Sequence, residues 1–239
     1  MKINWSYIKV LVLLGLVGFL YAFTNQRNSS RVVSVSTVKF KGEDNLFLTQ
    51  DDVSKLLIQN PEGLNNGRKD IIDLNKLEYD LNSNPMVKDA EVYMSINGEI
   101  TAEVEQKRPI ARVYTNVSYY VDDQGSYMPL SANYSARVPL VTGNVLKSKL
   151  NSIYKIAKKI DEDAFLKQHV IEIHQDKRGG ISLRLRTFDF DLQLGDLKNL
   201  DRKVNNFKAF YKKTIKDKTI NTYKSVNLRF DSQVICTKK

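Results

Sequence analysis

Ala90-Glu-Val-Tyr-Met-Ser-Ile-Asn-Gly-Glu-Ile-Thr-Ala-Glu-Val-Glu105 is the clearest local signal in the chain. Ala90, Val92, Met94 and Ile96 alternate with Glu91, Tyr93 and Ser95; Ile100, Ala102 and Val104 then alternate with Thr101, Glu103 and Glu105. A two-residue period places each apolar set on one face of a strand. Between the runs, Asn97-Gly98 can supply the two positive φ angles of a type I′ turn, whose twist suits a hairpin. The stretch therefore predicts two antiparallel strands with one apolar face, and that face needs a cover.

The cover lies upstream. Thr49-Gln-Asp-Asp52 offers an N-cap with an acidic residue three positions on, close to a capping box, and Val53, Leu56 and Leu57 give the short helix a buried side. A turn-rich stretch from Asn60 to Gly67 leads to a second helix, capped by Asp73, lined by Leu74, Leu77 and Leu81, and stopped at Asn84-Pro85. Before both, Val32 to Phe40 alternates around β-branched residues and predicts a strand. The unit is strand, helix, helix, strand, strand, with the helices on one face of a small sheet.

Further upstream, residues 24–31 form a polar linker, and Val10 to Phe23 is an uncharged apolar run of 14 residues. That run alone makes about 21 Å of helix, short of a hydrocarbon core, but Trp5, Tyr7 and Ile8 extend it and Lys9 can snorkel to the headgroups. A cleaved signal peptide has a similar layout. Its small-x-small exit is missing from Phe19-Leu-Tyr-Ala-Phe-Thr24, and the run predicts an uncleaved transmembrane helix over 8–24 after a short cytoplasmic tail, 1–9. Lys2 and Lys9 are balanced by Arg27 and Arg31, so orientation rests on the short tail ahead of a long folded body. The single cysteine, Cys236, cannot form an internal disulfide and leaves the redox compartment open.

Downstream of Arg108-Pro109 the pattern turns mostly β: Ile110–Tyr114, Val117–Val121 and, after Asp122-Asp-Gln-Gly125, Tyr127–Leu130. A helix is expected on Leu146, Leu150, Ile153, Ala157 and Ile160. Strands follow at Val170–His174 and Ile181–Leu185, with a phase shift at Thr187–Asp189 before Phe190, Leu192 and Leu194. A lysine-rich helix then precedes a last strand, Tyr223 to Ile235. The fold class is α+β, with domains expected at 32–108 and 109–239.

Charge separates these parts. Residues 25–142 carry 13 basic and 16 acidic side chains, whereas residues 143–239 carry 22 and 11, within a net charge of +10. Nucleic acid is the sharp reading of the Lys198–Lys218 stretch. However, Leu197, Leu200, Val204, Phe207 and Tyr211 recur at helical steps, leaving Lys198, Arg202, Lys203, Lys208 and Lys212 largely on the opposite, wet face. That amphipathic helix favours no nucleic acid partner; anionic lipid or an acidic protein fits better.

No constellation asks to be an active site. His169 and His174 fall on opposite faces of a predicted strand, Asp189 and Asp191 lack a glycosidase framework, Cys236 has no partner base, and glycine-rich phosphate loops are absent. The expectation is no enzyme, no metal and no cofactor.

Several short signatures, in order, resemble one family. They are Val35-Ser-Thr-Val-Lys-Phe-Lys-Gly42, Asn84-Pro-Met-Val-Lys-Asp-Ala-Glu-Val92, Glu105-Gln-Lys-Arg-Pro-Ile-Ala111, Val121-Asp-Asp-Gln-Gly125, Val138-Pro-Leu-Val-Thr-Gly143, Leu192-Gln-Leu-Gly195 and Val226-Asn-Leu-Arg-Phe230. Together they resemble the FtsQ/DivIB division proteins, bitopic chains with a POTRA domain followed by a β-domain. Met86 stands where that family usually has tryptophan, and Asn227 where it usually has aspartate. The resemblance implies a non-catalytic divisome scaffold in the cytoplasmic membrane at the septum, its bulk extracytoplasmic. It also implies recruitment of small coiled-coil partners of the FtsB/FtsL type by strand addition, with the POTRA domain serving other division proteins. The implied dock is the terminal strand, carried here by Tyr223, Arg229, Phe230, Asp231 and Ser232, with Val226 and Leu228 facing the core. The plainer reading is that this strand only closes the sheet. The alternative function is a POTRA-bearing envelope transport or assembly factor.

Overall fold

The computed structural model describes residues 5–29, 34–42, 45–58, 72–230 and 233–239. Helix α1 (Trp5–Ser29) is continuous over 25 residues, and its Tyr7–Gln26 segment is long and apolar enough to cross a membrane, with none of it buried in the protein. It runs through much of the stretch expected to be linker, because Thr24 to Ser29 contains no glycine or proline to end it. The chain divides into two compact units between Gln106 and Lys107, with α1 falling in the first.

The first unit contains β1 (Ser34–Lys41), α2 (Gln50–Ile58), α3 (Leu74–Asn82), β2 (Val87–Met94) and β3 (Glu99–Gln106). The sheet order is β1-β3-β2, with β1 parallel to β3 and β2 antiparallel to it. Val53 and Leu57 of α2 and Leu77 and Leu81 of α3 close over Val38, Ala90, Ile100, Ala102 and Val104. The Thr49 capping box forms as read: the Asp52 N–H donates to Thr49 Oγ1 at 3.2 Å and the Thr49 N–H returns to Asp52 Oδ2 at 2.9 Å. Asp73 caps α3 by accepting from the Lys76 N–H. The expected Asn60–Gly67 turn region lies outside the described residues.

The hairpin differs from its expectation at the turn. Only Gly98 has positive φ (89°), and its N–H donates to Ser95 O at 3.0 Å. This is a longer loop with one left-handed glycine, not a two-residue type I′ turn. The inward alternation consequently ends at Met94, and Ile96 sits exposed in the loop.

The second unit is built on a nine-stranded sheet ordered β12-β11-β10-β9-β8-β7-β4-β5-β6. The strands are β4 (Pro109–Tyr114), β5 (Ser118–Asp122), β6 (Tyr127–Met128), β7 (Leu140–Gly143), β8 (Val170–Gln175), β9 (Ile181–Leu185), β10 (Asp191–Gly195), β11 (Tyr223–Asn227) and β12 (Ile235–Lys238). Helices α4 (Asn151–Glu162), α5 (Ala164–His169) and α6 (Leu200–Lys216) share one core with them. Ile153, Ile156 and Ile160, then Leu166, then Val204 and Phe207 meet Val113, Ile173, Leu183, Leu192 and Val226 in that core. Leu146, expected in α4, lies before it and is exposed.

Three expectations are corrected here. His169 is not a strand residue but the last residue of α5: its Nδ1 lies 2.7 Å from Phe165 O and its Nε2 3.0 Å from Tyr211 Oη. Asp163 creates this short helix by accepting from the Phe165 and Leu166 N–H groups. Lys203 is not on the wet face of α6 but 2% exposed, and its Nζ donates to Leu194 O, Asp196 O and Asp196 Oδ1 at 2.9, 2.7 and 2.8 Å. Finally, the last strand is a hairpin of two strands, β11 and β12, paired through Val226↔Cys236 and Asn227↔Ile235.

Candidate partner-binding site

One end of the second sheet gathers the features that a partner could read. β10 runs parallel to β11 and antiparallel to β9. The β8–β9 turn, the end of β10 at Gly195, the end of β11 and the start of β12 therefore share that end. β11 stops because the Arg229 N–H donates to Asn227 Oδ1 at 2.9 Å, an Asx turn that bends the backbone off the sheet. The Leu228 N–H still reaches Gln193 O at 2.8 Å, which keeps Leu228 buried before the departure.

Arg229 and Phe230 consequently sit in the loop after β11 instead of within a terminal strand. Phe230 is 47% exposed and Ile235, across the hairpin, is 42% exposed, a small apolar pair at the mouth of the β11–β12 loop. Asp231 and Ser232 lie outside the described residues. Tyr223 begins β11 at the far end of the strand and packs edge-on against Phe210 of α6, with ring centroids 5.4 Å apart. The structure thus brings Arg229 and Phe230 together and places Tyr223 elsewhere. Val226 and Leu228 are buried, as expected.

Arg229 is held over Gly195, where a Cβ would come within 2.8 Å of Arg229 Cγ, and Gly195 has a φ of 68° that glycine tolerates. The same end of the sheet carries Arg178. Asp176 reports on both: its carboxyl is held below the usual range chiefly by hydrogen bonds from the Gly180 and Arg178 N–H groups, outweighing its slight desolvation, with the Arg229 and Arg178 charges adding to the effect. Arg178 was legible only as a turn residue; nothing in its local pattern shows that it and Arg229 act on the same carboxylate.

Among the described residues, β12 is the outermost strand of its sheet and pairs with β11 alone. An edge strand presents backbone donors and acceptors to a further strand. β12 therefore offers an open ladder with exposed Ile235 on it, and Arg229 and exposed Phe230 follow β11 at the same end of the sheet. Burial raises the pKa of the nearby Cys236 thiol, the reverse of nucleophilic activation. Among the described residues, no group of three or more His, Cys, Asp and Glu side chains gathers as a metal site requires.

A family model described as FtsQ/DivIB, C-terminal related, matches residues 108–237, more than half of the chain. The chain belongs to the FtsQ/DivIB-related family. A POTRA-like domain model matches residues 36–105, the β-α-α-β-β unit. Among curated proteins, the cell division protein FtsQ of Geotalea daltonii is 23% identical over 180 residues, covering 69% of this chain and 63% of that protein. The chain thus spans less than two thirds of that relative. The nine-stranded unit is the region that the FtsQ/DivIB C-terminal related model matches, and the candidate surface lies on its β12 side.

Proposed function

We propose that this chain is a bitopic division protein that links small coiled-coil partners of the FtsB/FtsL type to the septum by accepting a strand along β12. In this reading residues 1–9 are cytoplasmic, α1 anchors the chain in the cytoplasmic membrane, and the units around 32–108 and 109–239 work outside it without catalysis. The β12 edge carries the proposal: its outer side pairs with no strand among the described residues, Ile235 on it is exposed, and Arg229 and exposed Phe230 follow β11 at the same end of the sheet. Backbone hydrogen bonds from the incoming strand would supply affinity, Phe230 an apolar anchor, and the Arg229 guanidinium a preference for carboxylates. The first unit would serve other division proteins through a separate surface. The family membership and the name of the Geotalea relative support the division role.

The test is co-purification of the full chain with its coiled-coil partners from membranes of dividing cells. Phe230→Ala and Arg229→Glu should each lower capture at least several-fold while leaving the melting curve unchanged. Undiminished capture by both would sink the β12 dock. Uniform envelope fluorescence of a functional fusion throughout division would instead favour envelope transport or assembly.

A further inference from the structure

A pocket of about 370 Å³ opens in the second unit, away from the β12 end. Its floor is apolar: Ile110 of β4, Ile160 of α4 and Val170 of β8 are almost fully buried, with Pro139 and Ile171 on the walls. Its charged lining consists of Arg137, Lys167, Arg186 and one acid, Asp161.

That acid is already committed. Asp161 receives Arg108 Nη2 and Lys167 Nζ, each at 2.8 Å. Arg137 and Arg186 are exposed, and their guanidinium groups have no hydrogen-bond or ion-pair partner among the described residues. The two arginines are nevertheless set on braced backbone. The loop carrying Arg137 is pinned where Tyr120 Oη accepts from the Ala136 N–H at 3.1 Å and Arg112 Nη1 reaches Ser135 Oγ at 3.4 Å. The Arg186 N–H donates to His169 O at 2.8 Å. The backbone beneath both arginines is therefore ordered in the free protein, and binding has mainly their side-chain rotamers left to fix.

We infer that this pocket receives an acidic, apolar-flanked peptide segment of a partner protein. An aliphatic side chain would fill the floor while neighbouring carboxylates take Arg137 and Arg186 in the two-point geometry that guanidinium allows. Charge complementarity selects the class: the only acid in the lining is neutralised, so the pocket presents net positive charge to its ligand. The apolar floor favours a peptide over a bare anion, and the concavity favours it over a flat lipid surface. This inference stands apart from the β12 proposal, because no lining residue belongs to that surface.

The full chain in detergent micelles would be titrated against a fluorescein-labelled peptide of alternating leucine and glutamate, read by fluorescence polarisation. R137Q combined with R186Q should weaken binding about tenfold or more, and the loss should shrink as salt is raised. R202Q combined with K212Q, which removes two exposed charges from α6, should stay within about twofold of the parent. Ile171→Trp, at a half-exposed position on the pocket wall, should also block binding and keeps the test valid if the arginine variant fails to melt normally. Parent-like binding by both pocket variants overturns the inference. So does an equal loss in the α6 variant, which would mean that bulk charge is being read. Displacement by inorganic phosphate, or by phosphatidylglycerol mixed into the micelles, at concentrations matching the peptide overturns it too.

Discussion

Asn82 satisfies both backbone polar groups of Ala90: its Nδ2 donates to Ala90 O at 3.1 Å and its Oδ1 accepts from the Ala90 N–H at 2.9 Å. One turn earlier on α3, Glu78 Oε2 accepts from the Val92 N–H at 3.2 Å. β2 is an outer strand of its sheet, so two helical side chains stand where a neighbouring strand would bond. The first unit thus blocks this edge, whereas the second leaves β12 open. This contrast gives the strand-addition proposal its direction.

Asn82→Ala should cost about 1–2 kcal/mol in the first unit, because it removes two hydrogen bonds from partly buried backbone. Hydrogen exchange should accelerate at the Ala90 amide more than at amides of β3. Combined with Glu78→Ala, it should create concentration-dependent self-association, measured by light scattering, since the edge is then free to pair. A double variant that stays monomeric and equally stable would show that these contacts are incidental.

Lys203→Met should destabilise the second unit by roughly 3 kcal/mol, because it strips a donor from the buried Leu194 carbonyl and the partly buried Asp196 carbonyl. Arg202→Gln, one residue away and exposed, should change stability by less than about 0.5 kcal/mol. Chemical denaturation of the two variants side by side distinguishes a buried ammonium from an ordinary surface lysine.

Gly195→Ala should displace Arg229 and strain the backbone, costing about 1–2 kcal/mol. Partner capture should fall in this variant, but no further when it is added to Arg229→Ala. Additive losses would mean that Gly195 acts on capture by some route other than its arginine.

The Asp161 carboxyl is pushed up by burial, but hydrogen bonds from Arg108 and Lys167, reinforced by their charges, leave it below the usual range. A carboxyl whose folded pKa is depressed stabilises the fold above its unfolded pKa of about 3.9, and that contribution disappears as pH falls through the folded value. Asp161→Asn should therefore melt earlier than the parent at pH 7, with the gap closing toward pH 2–3. A gap independent of pH would assign the effect to packing.

Legibility followed the range of the forces involved. The hairpin strands, the Thr49 box and the Asp73 cap rest on contacts within a few residues, and all could be read directly. The terminal hairpin was missed because the segment between Leu228 and Ile235 carries neither glycine nor proline, and its break comes from a single Asx turn at Asn227. Helix α5 was hidden because six residues run straight into β8 without a gap. Lys203 could not be read at all. Its expected place was the wet face of α6, and only the fold reveals the carbonyl of Leu194 in β10, and that of Asp196 just after it, waiting there. That Arg229 and Arg178 both act on Asp176 required the sheet order.

The Lys203 contact also constrains how the crossover can assemble. α6 links β10 to a parallel neighbour, β11, and apolar surfaces alone would let a helix slide or roll with little penalty. An ammonium that must meet Leu194 and Asp196 admits one placement, since a shift of a single turn would strand a charge among leucine and phenylalanine side chains. The lysine therefore works as a registration pin. Sequence change elsewhere along the helix can be absorbed, while the strand that follows is still delivered to the same position in the sheet.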